Sequence, residues 1–449
     1  MSKERIAFPS GFLWGTATAA HQVEGYNDNN DWWAFERAPD TIWHGDRSDR
    51  ACNWWEDAEA DFDRMVALNH NTHRLSIEWS RIEPQEGEWD ETAVARYREM
   101  LRGLRERDIE PMVTLHHFST PLWLAQQGGW SNPAAVSYFR RWAGKAVQYF
   151  GDLAKLWCTI NEPAIYAALG NLFGLHAPGA QSLQRYFSVL RHMLQGHAAA
   201  YRVIHSFDGQ ARVGLVKNLQ LFDPADPESR LDRFFAGFFD YAFNDLVMKA
   251  LAEGRLCPPL GLGLSSAKGL LDSYDFVGVN YYSRSLVAFE PGRGDFMGVR
   301  RFPTPGAETS DEGRHGTYGE VYPEGLYRVL MRAARLNKPI YITETGLPDA
   351  DDDQRPRFLI THLAQAARAI ADGADVRGFY HWSLTDNFEW AEGWALRFGL
   401  IALDEKTQER TVRPSGHLFA AIAAENGLTR ELVERYAPVV VGQVFENHG

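Results

Sequence analysis

Short apolar runs alternate with longer helical patterns from one end of this chain to the other, and this alternation limits its fold more than any other feature. The runs read as near-continuous hydrophobic stretches, as parallel strands that are buried on both faces should. They cover residues 12–18, 72–79, 111–118, 156–161, 211–219, 275–282, 339–344 and 377–384. Helical patterns lie between them, for example at 55–68, 92–107, 134–150 and 358–372. This repetition predicts an α/β fold, a closed (β/α)8 or TIM barrel, rather than an open sheet.

The chain is predicted to form one domain over residues 1–449. Its 449 residues would allow two or three domains, but α/β barrels commonly run this long as a single domain. No Ser/Gly linker or low-complexity block marks a boundary. The most irregular segment, residues 283–318, follows the sixth predicted strand. We expect it to be a long loop at the entrance of the active site.

The charge and the hydropathy pattern exclude several kinds of partner. Basic residues number 46 and acidic residues 59, a formal net charge of -13. This balance argues against nucleic acid and anionic membranes as partners. The sequence has no 18-residue apolar stretch and no apolar segment behind its N-terminal residues. We therefore expect a soluble protein of the cytoplasm.

The sequence predicts no metal site and no cofactor. Three cysteines, Cys52, Cys158 and Cys257, fit neither a disulfide framework nor a zinc site, and are expected to be buried free thiols. His70 and His73 lack a third ligand at suitable spacing. The acidic run 349–353 lacks an EF-hand pattern and is expected to be a solvated loop before a helix. No P-loop, nucleophile elbow or dinucleotide fingerprint occurs.

Polar side chains lie at the ends of several predicted strands. In a barrel of this kind, such residues point into the active site. Glu162 follows the fourth strand and Glu344 ends the seventh. Others lie within, at the end of, or just beyond a strand: Arg74, His116, His117, Asn161, Asn280, Tyr281, Tyr282, Trp382, Asp386, Asn387, Glu389 and Trp390. A barrel that only had to be stable would not need so many polar groups there.

The two glutamates on strands four and seven would face each other across the barrel mouth. Either one alone could be an ordinary salt-bridge partner. Together, and close to Asn161 and Arg74, they indicate glycoside cleavage, which needs one carboxyl group as acid and one as nucleophile. A separation of about 5–5.5 Å would give retention of configuration.

Several long motifs, in the same order as in the family, make the chain resemble glycoside hydrolase family 1, the β-glucosidase family. The resemblance covers almost the full length, from residues 8–15 to residues 397–400. It implies that Glu162, in an Asn-Glu-Pro motif, is the general acid/base and that Glu344, in an Ile-Thr-Glu motif, is the nucleophile. It also implies that Arg74 and Tyr282 support the nucleophile. Sugar-binding positions fall on Gln22, His117, Asn161, Trp382, Glu389 and Trp390, and Asn280 is counted with them.

These residue types suit those roles. Arg74 and Tyr282 would hold Glu344 ionised, whereas repulsion from Glu344, with partial burial added, would raise the pKa of Glu162. Asn161 would bond the sugar 2-hydroxyl. A carboxylate such as Glu389 can accept two adjacent hydroxyls, and the two tryptophans offer flat faces for the C–H side of a pyranose.

The resulting prediction is a retaining exo-β-glycosidase that acts on small β-glycosides or oligosaccharides. It would release terminal β-D-glucosyl residues, with β-galactosyl and β-fucosyl activity as well. The alternatives are a catalytically silent sugar-binding barrel, a transglycosylase and a 6-phospho-β-glycosidase. The Glu389 carboxylate argues against the last, because it would repel a phosphate. Whether the protein forms a homo-oligomer is left open.

Four positions depart from the family pattern. Thr345 stands where Asn is usual, and Phe118 where Trp is common; neither is expected to abolish catalysis. Gly319 takes the place of a Trp that stacks on the leaving-group sugar. We therefore expect a wider leaving-group site, and selective improvement of cellobiose turnover by Gly319→Trp. Trp394 replaces a common Tyr and is expected to line the same entrance.

Overall fold

Eight parallel strands close into a barrel. The structure, a computed structural model, describes residues 4–261, 269–292 and 298–445. The strands are β1 (Leu13–Ala17), β2 (Thr72–Ser76), β3 (Glu110–Thr114), β4 (Leu156–Asn161), β5 (Arg212–Asn218), β6 (Phe276–Asn280), β7 (Ile340–Thr345) and β8 (Val376–Trp382). Each pairs with its neighbour in the chain, and β8 pairs with β1 to close the ring. The predicted TIM barrel is confirmed.

Helices follow the strands and form the outer layer. The principal ones are α1 (Trp54–Ala67), α2 (Glu91–Arg105), α3 (Ala135–Phe150), α4 (Leu183–Phe207), α5 (Leu246–Glu253), α6 (Pro323–Ala334), α7 (Arg355–Ala371) and α8 (Pro414–Glu425). Helix α2 illustrates why they form. Its buried residues Val94, Tyr97, Leu101 and Leu104 recur every three or four positions, and Asp90 caps its first turn. All four helical stretches predicted from the sequence are confirmed.

Shorter helices and strands lie around the barrel. The additional helices are Ala20–Val23, Asp31–Glu36, Trp79–Ile82, Leu122–Gln126, Pro163–Ala167, Arg230–Asp240, Arg430–Tyr436 and Val441–Phe445. Three two-stranded antiparallel sheets lie outside the barrel in the described part of the chain: Arg5–Ala7 with Gly427–Thr429, Glu312–Gly313 with Gly316–Thr317, and Ile401–Leu403 with Arg410–Val412. The first of these joins the N-terminal part of the described chain to the segment that precedes helix Arg430–Tyr436.

The barrel wall is packed tightly enough to select residue size. Every residue of β2, β4 and β7 is buried, as expected for parallel strands covered on both faces. A Cβ atom on Gly15 of β1 would lie 2.0 Å from the carbonyl oxygen of Thr72, so only glycine allows this approach of β1 to β2. One large cluster of buried apolar residues extends from Phe8 to Phe445. Its extent is compatible with the single-domain prediction, which stays a prediction.

The predicted loop 283–318 is partly a sheet, so that prediction is wrong in part. Strand Arg284–Phe289 pairs with Val299–Phe302 and with Leu221–Pro224. These three strands form a side sheet, which shares a small apolar core with helix Arg230–Asp240. The Gly, Pro and Arg content of the segment hid this pairing. Residues 293–297 lie outside the described part.

Two smaller expectations need correction. Cys52 and Cys158 are buried free thiols as predicted, but Cys257 is only partly buried. The acidic run 349–353 is not uniformly solvated. Asp349 is fully buried, and its carboxylate accepts hydrogen bonds from two backbone amides at the start of α7. Asp352 is buried against Arg355. Among the described helices, none combines the length and apolar character that crossing a bilayer requires.

Candidate active site

A cavity of about 230 Å³ lies at the carboxyl end of the barrel. Glu162, which follows β4, and Glu344, in β7, both line it. Only 6% of Glu162 and 4% of Glu344 is exposed. Two carboxyl groups held this far from water have pKa values that depend mainly on burial and on their immediate partners.

Glu344 is held by two donors. Its Oε1 accepts a hydrogen bond of 2.5 Å from Arg74 Nη1, and its Oε2 accepts one of 2.7 Å from the Tyr282 hydroxyl. Burial raises the pKa of Glu344, while the positive charge of Arg74 and the hydrogen bond from Tyr282 oppose that rise. Arg74 is itself fully buried. A buried guanidinium needs a negatively charged partner, so the contacts fit a carboxylate at position 344.

Glu162 has neutral partners instead. Its Oε1 accepts hydrogen bonds from the side-chain amides of Asn280, at 2.7 Å, and Asn218, at 3.0 Å. Burial, and then repulsion from Glu344, raise the pKa of Glu162 to about 7. The sequence argument gave repulsion the larger part; in the structure burial is the stronger cause. The environment thus separates two chemically identical groups, one paired with a cation and one not.

Asn161 joins the two halves of the site. Its Oδ1 accepts a hydrogen bond of 2.8 Å from Arg74, and its Nδ2 lies 3.0 Å from Nε2 of His117. Nδ1 of His117 is buried and has no hydrogen-bond partner among the described residues. A sugar hydroxyl could supply one.

Glu389 lines another part of the same cavity. Gln22 donates to its Oε2 at 3.2 Å, and the Gln22 Oε1 is buried without a partner in the described part of the chain. Burial raises the pKa of Glu389 to about 8. The rings of Trp382 and Trp390 lie beside His117, with centroids 5.8 Å and 6.1 Å from it. This part of the cavity therefore combines polar groups with flat apolar faces.

The structure brings all the predicted site residues together. Eight line the cavity: His117, Asn161, Glu162, Tyr282, Glu344, Trp382, Glu389 and Trp390. Three stand behind it and bond to lining residues: Gln22, Arg74 and Asn280. Other strand-end residues serve the scaffold. His116 bonds to Trp130, and Asp386 pairs with Arg413.

Asn218 and Tyr318 were missed by sequence reasoning. Asn218 ends β5 and bonds to Glu162; the signal was its position, since polar residues at other strand ends had already been singled out. Tyr318 lines the cavity and packs against Tyr282, with ring centroids 5.4 Å apart. It lies in the irregular segment after β6, where no periodic pattern locates a side chain.

The surroundings of Gly319 and Trp394 bear on the expected leaving-group site, whose width stays a prediction. A Cβ atom on Gly319 would lie 2.2 Å from Oγ of Ser283, so Gly319→Trp cannot be accommodated unless Ser283 moves. The neighbouring Tyr318 lines the cavity and gives it an aromatic wall. Trp394 is not among the cavity-lining residues; its indole donates to the carbonyl of Arg47. Ile165, Leu169 and Leu175 contribute apolar side chains to the cavity lining.

His73 makes two side-chain contacts in the barrel. Its ring nitrogens lie 3.1 Å from the hydroxyl oxygen of Thr16 and 3.0 Å from that of Thr18. A neutral imidazole has one donor and one acceptor nitrogen, and both can be satisfied by these two hydroxyl groups.

Comparison with known proteins gives a consistent result. The family model for glycosyl hydrolase family 1 matches residues 4–428. Beta-glucosidase A of Thermotoga maritima is 32% identical, with 94% of this chain and 98% of the relative covered. A beta-galactosidase of Pyrococcus woesei is 31% identical, with 95% and 99% covered.

Solved structures are similar over the same extent. A beta-glycosidase from Pyrococcus horikoshii has a TM-score of 0.84 and 37% identity, and the match covers 96% of this chain and 98% of that one. The beta-glucosidase from Thermotoga maritima in complex with glucoimidazole has a TM-score of 0.87 and 32% identity, and covers 94% and 100%.

The barrel and these matches define the class, an enzyme that cleaves glycosidic bonds. The chain belongs to glycosyl hydrolase family 1.

Proposed function

We propose that the protein is a retaining exo-β-glycosidase that releases terminal β-D-glucosyl residues, and also β-galactosyl and β-fucosyl residues, from the non-reducing ends of its substrates. The observation that carries this proposal is the pair of buried carboxyl groups with opposite environments. Glu344 is paired with Arg74, whereas Glu162 is bonded only to amides. A nucleophile must be ionised and a general acid protonated, and these surroundings favour those two states.

In the first step, Glu344 attacks the anomeric carbon while Glu162 gives its proton to the departing oxygen. Arg74 and Tyr282 orient the attacking carboxylate through one hydrogen bond to each oxygen. The leaving group departs past Tyr318, and a glycosyl ester forms on Glu344. Asn161 lies next to Arg74 and His117, within the polar cluster that would meet the sugar hydroxyls.

In the second step, Glu162 acts as the base. Ester formation removes the negative charge of Glu344, and with it one of the two causes that raise the pKa of Glu162. Glu162 then takes a proton from water, which attacks the anomeric carbon from the side the leaving group left. Two displacements at one carbon retain its configuration.

The buried polar groups of the cavity favour attack on a terminal sugar. Glu389 lines the cavity and Gln22 donates to it, and neither is exposed by more than 6%. Glucose, galactose and fucose would present hydroxyls of the same kind to Gln22 and Glu389, so these residues support activity on all three sugars. The relatives include proteins named beta-glucosidase and beta-galactosidase.

The test is hydrolysis of nitrophenyl β-glucoside, β-galactoside and β-fucoside, with proton NMR of the first sugar anomer released. We expect turnover and the β-anomer first. The α-anomer first would replace the retaining mechanism with an inverting one. A protein that binds sugar but cleaves none of the three would be a sugar-binding barrel.

The pH dependence of kcat/KM should show a basic limb with an apparent pKa of about 7, the value for Glu162. The sign follows from the general acid: glycosylation needs Glu162 protonated, so the rate falls as pH rises through its pKa. Rates from pH 4 to 9 with nitrophenyl β-glucoside measure this. A limb that persists in Glu162→Gln would have to belong to another group.

Tyr318→Ala is expected to raise KM for nitrophenyl β-glucoside about 3–10-fold, because an aromatic contact in a binding site is worth about 1 kcal/mol. Tyr318→Phe keeps the ring and is the matched control, which should stay near the wild-type value. Steady-state kinetics of both variants test this. Equal KM values in all three proteins would mean that the aromatic wall does not hold the leaving group.

A further inference from the structure

Lys217 lies in β5, the strand whose last residues form hydrogen bonds with Glu162. It is the last residue but one of β5, and only 1% of it is exposed. The carbonyl of Val216 accepts a hydrogen bond of 2.9 Å from the Glu162 amide. The side chain of Asn218 donates to the Glu162 carboxyl group. The residues on both sides of Lys217 therefore hold Glu162, one by its backbone and one by its side chain.

The ammonium group of Lys217 has an unusual environment. It donates to the carbonyl of Asn218 and lies 4.1 Å from the centre of the Phe243 ring. Among the salt bridges of the described residues, none includes Lys217. Burying an ammonium without a directly bonded carboxylate costs free energy, so charged groups near Lys217 are expected to offset this cost.

The charged groups that face Lys217 come from three elements. Asp240, in helix Arg230–Asp240, is already neutralised by two hydrogen bonds from Arg332 of α6, at 2.7 and 3.0 Å. Glu162, after β4, is the third group that interacts with the ammonium. Its own hydrogen bonds come from neutral amides. The positive charge of Lys217 is therefore directed mainly at the acid/base of the proposed reaction.

We propose that Lys217 is a positioning residue, whose buried ammonium fixes the end of β5 against Glu162 and favours the carboxylate form of Glu162 during hydrolysis of the glycosyl-enzyme. This role rests on the proposed glycosidase function. Asn218 and Lys217 form one unit in it, because the ammonium bonds to the carbonyl of the residue whose amide holds Glu162.

Because of the groups around Glu162, the second step, hydrolysis of the glycosyl-enzyme, is the one that should depend most on Lys217. Burial and Glu344 raise the pKa of Glu162, and Asn280, Asn218 and Lys217 lower it. Tyr282, Tyr318 and Arg74 also interact with its charge. Once Glu344 is glycosylated its charge is lost, whereas that of Lys217 remains. Burial lowers the pKa of Lys217 itself to about 7, with attraction to Glu162 opposing the fall, so the ammonium form dominates below neutral pH.

The experiment compares Lys217→Met with Lys249→Met, a matched loss of positive charge from neighbouring α5. The side chain of Lys249 is 40% exposed and pairs with Asp245, so little change is expected there. Kinetics with dinitrophenyl β-glucoside at about pH 6 report the second step, because its leaving group needs no acid. For Lys217→Met we expect kcat to fall roughly tenfold and kcat/KM to stay near wild type. Azide, a nucleophile that needs no base, should restore kcat.

The pH profile supplies an independent readout. With mononitrophenyl β-glucoside, the basic limb of kcat/KM should move to higher pH in Lys217→Met, because the charge that lowers the pKa of Glu162 is gone. Lys217→Arg, which keeps the charge, should keep the limb in place.

Each result decides the role. An unmoved limb in Lys217→Met, or an equal loss with both substrates that azide does not restore, would overturn it and leave Lys217 as a structural residue. If Lys217→Met unfolds at a temperature far below that of the wild type, Lys217→Arg becomes the deciding variant. A displaced basic limb of kcat/KM in Lys217→Arg would also overturn the proposed role. A wild type that cleaves neither substrate would instead remove the proposed function.

Discussion

Glu344→Ala is expected to lower kcat/KM for nitrophenyl β-glucoside by a factor on the order of 10⁵, as removal of a catalytic nucleophile does elsewhere. This loss corresponds to about 7 kcal/mol of transition-state stabilisation. The physical reason is that the Glu344 carboxyl group accepts hydrogen bonds from both Arg74 and Tyr282, which favour its anionic form. Its absence leaves no group to form the glycosyl ester, and the Arg74 guanidinium remains buried without its partner.

Azide distinguishes a missing nucleophile from a damaged fold. The methyl group of alanine leaves room for a small anion beside Arg74, and azide can attack the anomeric carbon once. We therefore expect recovery of nitrophenol release and a glycosyl azide of inverted, α configuration, identified by NMR. The variant must also melt cooperatively. A β-glycosyl azide, or activity within tenfold of wild type, would contradict the role given to Glu344.

Glu162→Ala is expected to have an effect that depends on the leaving group. For methyl β-glucoside, whose leaving group needs a proton, the first step should slow about 10²–10⁴-fold, the usual contribution of general acid catalysis. For dinitrophenyl β-glucoside that step should change little, because its phenolate leaves unaided. The structural basis is that only amides bond to the Glu162 carboxyl group, which leaves it free to carry the proton.

Azide again gives the control. In Glu162→Ala it should accelerate the second step with dinitrophenyl β-glucoside and yield a glycosyl azide of retained, β configuration, since the ester on Glu344 still forms first. Equal losses with both leaving groups would mean that Glu162 supports the structure rather than transferring the proton.

The barrel could be predicted from the sequence because its strands are buried on both faces. Such strands need nearly unbroken apolar runs, and β2 and β4 have them. The same reasoning located most of the site, since the polar residues that interrupt or end these runs, such as Arg74 and Asn161, have no packing purpose there. A resemblance to a family then supplied their roles.

The remainder depended on contacts between distant segments. The side sheet was not predicted because strand Arg284–Phe289 is stabilised by pairing with Leu221–Pro224, which is distant in the sequence. Gly319 suggested that a tryptophan could be restored there, but the side chain of Ser283 blocks a larger residue at this position. The larger effect of burial on Glu162 also needed the packed structure, because sequence alone does not measure solvent exclusion.

The most direct test of the central claim is to trap the glycosyl-enzyme with dinitrophenyl 2-deoxy-2-fluoro-β-glucoside and to locate the label by peptide mass spectrometry. Fluorine slows both steps, and the reactive leaving group restores only the first, so the ester accumulates. The proposed mechanism predicts one fluoroglucosyl group per chain, on the peptide that contains Glu344. Labelling of Glu162 or of another residue, or fast turnover of other glucosides with no label at all, would contradict it.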